Sequence, residues 1–303
     1  TTNYSYNNVD RRRKVYENPL VGDGSPGGRF NILSTRAITQ TFNQLISYNR
    51  DFGKHTVDVM VGHESYAYKY EYLYSMKNTE IVNGIYEFDN FVNISSVSSY
   101  TDEYKKEGYF ARLNYDYADK YYISASYRHD GSSRFHKDNR WGNFWSLGGA
   151  WLISKEKFFN VNWIDELKIK ASYGQQGNDN IGSFLYTTTY GIANSNDQVA
   201  LVPSALGNKE ISWETVGTFN AGIEFSMFKG RLSGGLEVYS KKTTDMLFYF
   251  SLPTSYGFSG YYDNIGDMTN KGVEFELRGD IIRTKDLTWS VYGNIATNKN
   301  EIT

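Results

Sequence analysis

The sequence predicts an all-β chain, the antiparallel strands of a transmembrane β-barrel. Three observations carry that prediction. Aromatic residues make up 17% of the 303 residues, with 27 Tyr, 18 Phe and 6 Trp, and these are strand-favouring types. Apolar and polar residues alternate with period two along most of the chain, as they do on a pleated strand with one greasy face. The connections between alternating segments are short at one end and long at the other, which is how outer-membrane barrels are organised.

Taken in order, residues 36–49 and 55–74 form the first two predicted strands. "GYFARLNYDY" (108–117) puts Tyr109, Ala111, Leu113, Tyr115 and Tyr117 on one face, with Arg112, Asn114 and Asp116 on the other. After "ADK", "YYISASYR" sets Tyr121, Ile123, Ala125 and Tyr127 against Ser124, Ser126 and Arg128. "NFWSLGGAWLI" aligns Trp145, Leu147, Trp151 and Ile153. "LKIKASYG" sets Leu167, Ile169, Ala171 and Tyr173 opposite Lys168, Lys170 and Ser172. "TVGTFNAGIEF" groups Phe219, Ala221, Ile223 and Phe225, and a strand at 231–248 follows. "GVEFELRGDI" sets Val273, Phe275, Leu277 and Ile281 against Glu274, Glu276 and Arg278. "LTWSVYGNIA" sets Leu287, Trp289, Val291 and Ile295 against Ser290, Tyr292 and Asn294, which brings the count to ten strands.

Tight turns fall at 50–54, 118–120, 227–231 and 283–286, with a modest link at 154–165. Long connections rich in Asn, Ser, Gly, Asp and Tyr occupy 75–107, 130–141, 175–212 and 249–270. A soluble sandwich would spread its turn signals more evenly. It would also leave the ionised faces in a dry core at great cost, whereas a water-filled lumen tolerates them. Mean hydropathy of −0.57 does not count against a membrane barrel, because only alternate residues face lipid. No run of 18 apolar residues occurs, and "TTNYSYNNVD" has neither the charged start nor the apolar core of a signal peptide. The chain ends run into loop signals, so an internal piece of a longer barrel is expected, with all of residues 1–303 belonging to one transmembrane barrel domain.

Composition also excludes function classes. Net charge is −2 and cysteine is absent, which removes disulfides, thiol catalysis and cysteine–zinc sites and gives no footprint for nucleic acid. The basic run Arg11-Arg12-Arg13-Lys14 reads as a solvated loop. His55, His63, His129 and His136 lack HExxH or other metal spacing; His129 and His136 share a predicted loop with Asp130 and Asp138, where a hydrated loop outweighs a metal site. "GDGSPGG" (22–28) reads as a flexible loop ahead of an anion-binding nest. No nucleophile elbow, phosphate loop or dinucleotide fingerprint is present. Glu274 and Glu276, two apart on one face, imitate a catalytic carboxylate pair, but beside Arg278 they fit an ion-pair network better. Arg112, Arg128, Glu224 and Glu237 read the same way, as lumen charges. No enzyme and no cofactor are expected.

The blocks "GYFARLNYDYADKYYISASYRHDGSSRF", "LKIKASYGQQGNDNIG", "ISWETVGTFNAGIEFSMFKGRLSGGLEVYSKKTTDML", "NIGDMTNKGVEFELRGDII" and "NKNEI" resemble the barrel of SusC/RagA-type TonB-dependent transporters, over roughly residues 36 to 303. The resemblance implies a 22-stranded barrel in the bacterial outer membrane, an amino-terminal plug inside it, and energy delivered by TonB. It implies a SusD-like surface lipoprotein acting as a lid, and substrates that are glycans or peptides. The plug, the TonB box and the carboxy-terminal strands are not in these residues, so TonB would act through a part of the protein outside them. The competing reading, from another class, is a secreted aromatic-rich β-protein that binds carbohydrate as an adhesin.

One stretch sharpens the reading. "SYAYKYEYLYS" (65–75) places Tyr66, Tyr68, Tyr70, Tyr72 and Tyr74 on one strand face, roughly 27 Å long at about 3.4 Å per residue. Counting about 9–11 tilted residues from the tight turn, the chain leaves the bilayer near residue 65. With the pleat unbroken, Tyr66, Tyr68, Tyr70 and Tyr72 face a vestibule above the membrane, where rings can stack on ligand. A bulge at residues 62–64 would instead turn them outward as a girdle.

Overall fold

The computed structural model describes residues 1–195 and 198–302. Fifteen strands occur among them: β1 (Thr2–Glu17), β2 (Arg29–Phe52), β3 (His55–Glu80), β4 (Phe91–Tyr117), β5 (Tyr121–Ser132), β6 (Trp141–Leu152), β7 (Ile164–Asn178), β8 (Thr189–Ser195), β9 (Gln198–Ala205), β10 (Glu214–Met227), β11 (Leu232–Thr244), β12 (Leu247–Ser251), β13 (Gly260–Asn264), β14 (Met268–Arg283) and β15 (Thr288–Ile302). The main sheet has 11 strands in the order β1-β2-β3-β4-β5-β6-β7-β10-β11-β14-β15, while β8-β9 and β12-β13 are separate two-stranded hairpins. Neighbours in sequence are neighbours in the sheet, apart from those two hairpins inserted in long connections.

Two compact units are distinguished: Thr1, Gln44–His63 and Glu107–Thr303 form the first, and Thr2–Asn43 with Glu64–Lys106 form the second. In the first unit, pairing register explains the two-faced character. One row runs Trp151, Ile169, Ile223, Leu236, Phe275, Ile295 across six strands. The adjacent row, one residue on, runs Ala150, Lys170, Gly222, Glu237, Glu274, Ala296. Period two thus collects the apolar side chains on one face and the ions on the other. Among the described residues no protein layer covers the apolar face: Leu147 is 54% exposed and Ile295 66%. Tight turns close the strands at one end. Ala118 and Asp119 both take positive φ, as a two-residue hairpin loop with the right twist requires, and the Asp116 carboxylate accepts the Asp119 N–H at 3.0 Å.

At the opposite end the long connections fold onto one another. Phe135 and Ile211 are fully buried there with Ile181, packed by Leu185, Tyr186, Trp213, Leu247 and Tyr262. Side-chain amides tie the segments: Asn208 donates to the Tyr262 carbonyl at 3.1 Å and Asn264 to the Ser212 carbonyl at 3.1 Å. Trp213 donates to the Arg140 carbonyl at 2.9 Å.

Three expectations are corrected. The sheet has eleven strands rather than ten, because the basic run lies in strand β1 and not in a loop. Residues Thr2–Lys14 are exposed on both faces, so no apolar alternation marks the strand, which forms through its backbone pairing. The predicted long connection at 75–107 shrinks to 81–90, since β3 runs to Glu80 and β4 begins at Phe91. The polar character of these upper strand segments hid them. Finally, "GDGSPGG" is pinned rather than flexible: Gly28 N–H donates to the Gly24 carbonyl at 2.7 Å, and the Thr79 and Glu80 amides donate to the Gly28 and Gly27 carbonyls at 3.1 and 2.7 Å.

Candidate functional site

The polar face of the first unit carries a four-residue ion network. Lys168 pairs with Glu224 at 3.1 Å, and Lys170 bridges Glu224 at 2.7 Å and Glu237 at 3.0 Å. Register explains the bridge. Lys170 lies opposite Gly222, which lies opposite Glu237, and a Cβ on Gly222 would stand 3.3 Å from the Lys170 side chain. The missing side chain on the middle strand lets the ammonium reach across. Glu274, opposite Glu237, and Glu276, opposite Gly235, line the adjoining recess with Asn294. Arg278 lines a further recess with Glu276 and Tyr292.

The expected network of Glu274 and Glu276 with Arg278 is therefore not what forms: among the described residues none of the three makes an ion pair. The lysines of "LKIK" take that place. They were visible in the sequence as the polar side of their strand, but that they stand opposite Glu224 and Gly222 is set by register. Arg128 pairs with Asp130 at 2.8 Å and lies over the Phe110 ring at 4.8 Å. Arg112 makes no ion pair among the described residues.

The apolar face of the same unit is bounded by rings. At one level His63 stacks on Tyr109 (4.8 Å) and His129 on Trp141 (4.6 Å), with Trp145 beside Tyr173 (5.3 Å). At the turn end Tyr117, Tyr121 and Trp151 stack in sequence at 6.3 and 6.2 Å. His129 lies in β5 and meets the Asn143 side chain at 2.8 Å, while His136 meets Asp138 at 3.1 Å. The two histidines that the sequence placed in one loop thus have separate partners. Among the described residues no group of three or more His, Asp or Glu is placed to hold a metal ion.

In the second unit the tyrosines form paired rungs. Tyr66 and Tyr68 flank Tyr104 at 5.7 and 5.2 Å, and Tyr70 and Tyr72 flank Tyr100 at 6.1 and 4.8 Å. Burial raises the Tyr68 phenol pKa, with neighbouring Tyr70, Tyr66 and Asp102 adding to it. Alternate residues carry ions instead: Lys69 pairs with Glu71 at 2.8 Å and approaches Glu103 at 3.9 Å. That hydrogen bond raises the Lys69 pKa and lowers that of Glu71. Sequence reasoning missed Tyr100 and Tyr104 because it read 75–107 as loop. Their spacing of four, which puts both rings on one face of a strand, was the signal.

A continuous antiparallel sheet with one apolar face, edged by aromatic rings, and one ionised face defines the wall of an outer-membrane β-barrel. The chain belongs to the family described as TonB dependent receptor-like, beta-barrel, whose model matches residues 1–303. It is a protein of the bacterial outer membrane, of SusC-like type, in a family of receptors and transporters. The chain is 33% identical over 302 residues to TonB-dependent receptor P39 of Formosa agariphila, covering 95% of this chain and 29% of that protein. It is also 33% identical over 274 residues to TonB-dependent receptor SusC of Bacteroides thetaiotaomicron, covering 87% and 27%. Among solved structures it superposes on the RagAB peptide transporter with a TM-score of 0.93 at 28% identity, covering 100% of this chain and 34% of that one. The chain therefore spans about a third of the length of the proteins it matches.

Proposed function

We propose that this chain forms part of the wall of a TonB-dependent importer that carries oligosaccharides or peptides across the outer membrane with a SusD-like surface lipoprotein as its lid. The observation that carries the reading is the joint likeness to SusC and to the RagAB peptide transporter across nearly the whole chain, together with an ionised face that a dry interior would not tolerate. In this reading all of residues 1–303 belong to one barrel domain. The apolar face meets lipid and the ionised face lines the water-filled lumen, where Arg112, Arg128, Glu224, Glu237, Glu274, Glu276 and Arg278 contact substrate or an internal domain. Pleat alternation along β3, an unbroken strand from His55 to Glu80, directs Tyr66, Tyr68, Tyr70 and Tyr72 to the same side, above the membrane. Two features support that direction. Gly62 faces Phe110 in the first unit, Tyr68 and Tyr72 face Tyr104 and Tyr100 in the second, and all are even-numbered.

The test uses the full-length protein in its host. Cells lacking it should lose uptake of a labelled oligosaccharide or peptide mixture and regain it on complementation, and a surface lipoprotein should copurify in detergent. A product that is soluble and monodisperse without detergent would instead support the adhesin reading. Unchanged uptake in the deletion strain across both substrate classes would sink the importer.

A further inference from the structure

We propose that the tyrosine-bearing face of the second unit binds an anionic oligosaccharide, with Arg11 and Arg13 holding its acid groups and the tyrosine rungs stacking on its sugar rings. This rests on the importer reading and narrows its substrate class.

The two faces of the second unit differ in chemistry. On one, Arg36 donates to the Asn8 side chain at 3.1 Å and pairs with Asp10 at 3.5 Å. Its charge also reaches Lys69 and Glu71. Even-numbered residues of β1 and β2 and odd-numbered residues of β3 therefore share that face, where Arg36 pairs with Asp10 and Lys69 with Glu71. Strand alternation puts Arg11 and Arg13 of β1 on the opposite face, the side that carries the Tyr66–Tyr72 rings of β3. Both arginines are exposed, and among the described residues neither makes an ion pair. Their even-numbered neighbour Lys14, by contrast, is paired with Glu87.

The ring face thus presents two guanidinium groups that make no ion pair among the described residues, about 7 Å apart along the strand, and one carboxylate, Asp102, between the Tyr100 and Tyr104 rungs, close enough to act on Tyr68. A guanidinium is the side chain best matched to a carboxylate or sulfate, which it grips through two parallel hydrogen bonds. Beside them stand two aromatic platforms, Tyr72–Tyr100 and Tyr68–Tyr104, four residues apart on β3 or about 14 Å. Repeated platforms suit a repeating polymer. Ring faces accept the apolar C–H face of a sugar without demanding one sequence of substituents. The Lys106 ammonium lies 5.8 Å over the Tyr104 ring. Stacking surface plus unpaired guanidinium selects a sugar chain that bears acid groups.

The test titrates the full-length detergent-solubilised protein with an oligogalacturonate, a maltooligosaccharide of the same length and a polyglutamate peptide. The expected result is oligogalacturonate binding at least about tenfold tighter than the neutral sugar, weakening as salt rises. In Arg11→Gln/Arg13→Gln that preference should fall about tenfold, since two charge-assisted contacts are lost. Arg12→Gln, on the opposite face, should leave it intact and so controls for folding of β1. Equal affinity for charged and neutral sugars overturns the proposal, as does an unaffected double variant or binding of polyglutamate alone. Neutral oligosaccharide or peptide uptake by cells, with no oligogalacturonate binding, overturns the anionic assignment while the importer reading stands.

Discussion

Leu113 sits on β4 midway between Tyr109 and Tyr117, each of which belongs to a ring cluster on the apolar face. If those clusters mark the two bilayer boundaries, Leu113 lies near the midplane. Arginine introduced there must hold its charge in hydrocarbon or snorkel to escape it. On a lipid-facing barrel position this costs about 2–4 kcal/mol at the midplane and about 0–1 kcal/mol near the interfaces. Leu113→Arg should therefore destabilise by about 2–4 kcal/mol and Tyr109→Arg by far less through charge alone. Asn114 is the next residue, on the polar face, where it lines a recess with Asp58 and Asp116. Asn114→Arg meets water and two carboxylates there, and should change stability by less than about 1 kcal/mol. The assay is urea titration of the full-length protein in lipid vesicles, followed by tryptophan fluorescence, with heat-modifiable gel migration as a check on barrel integrity. Equal costs at 113 and 114, or a larger cost at 114, would refute the assignment of faces.

Two further outcomes bear on the same reading. Lys170→Met removes both bridges made by Lys170, and the side chains of Lys170, Glu224 and Glu237 are 35–40% exposed, so the surface-pair value of roughly 0.2–1 kcal/mol per contact applies. The summed loss should be about 1 kcal/mol, with measurable coupling to Glu237→Gln in a double-mutant cycle. A loss above about 3 kcal/mol would show a dry lumen instead. Half-buried Tyr16 donates to Glu80 at 2.8 Å, and burial, then that carboxylate, pushes its phenol pKa up to about 12. A raised folded-state value means its contribution to stability is full below about pH 10, the ordinary tyrosine range, and is lost as pH rises toward about 12. Absorbance at the phenolate band, compared with Tyr16→Phe, should show one late-titrating tyrosine; a phenolate appearing in the ordinary range would refute it.

How much was legible depended on whether a strand had one greasy face. "GYFARLNYDY" and "LKIKASYG" were read with the correct faces, because lipid on one side and polar groups on the other enforce alternation residue by residue. The later half of β3 and the earlier half of β4 carry rings on one face and ion pairs on the other, so that enforcement relaxes. Tyr100 and Tyr104 were read there as loop. β1 shows the limit, since its basic run is polar on both faces and nothing in its composition distinguishes a paired strand from a solvated loop. For the site, the candidate glutamates share one face, yet Glu237 found its partner in Lys170 and not in its own neighbourhood. Which charges meet depends on register and on a glycine between them.

The sequence alone determined that the chain is all-β, that it is an outer-membrane barrel wall, which residues share a face, and where the tight turns lie. These follow from period-two alternation and turn chemistry, which are local. Only the tertiary structure decided the pairing register, and with it the Lys168–Glu224–Lys170–Glu237 network, the Tyr100 and Tyr104 rungs, and the placement of Arg11 and Arg13 on a strand beside the ring face. Register is set by backbone pairing between segments distant in the chain, and alternation within a strand carries no record of which residue will stand opposite.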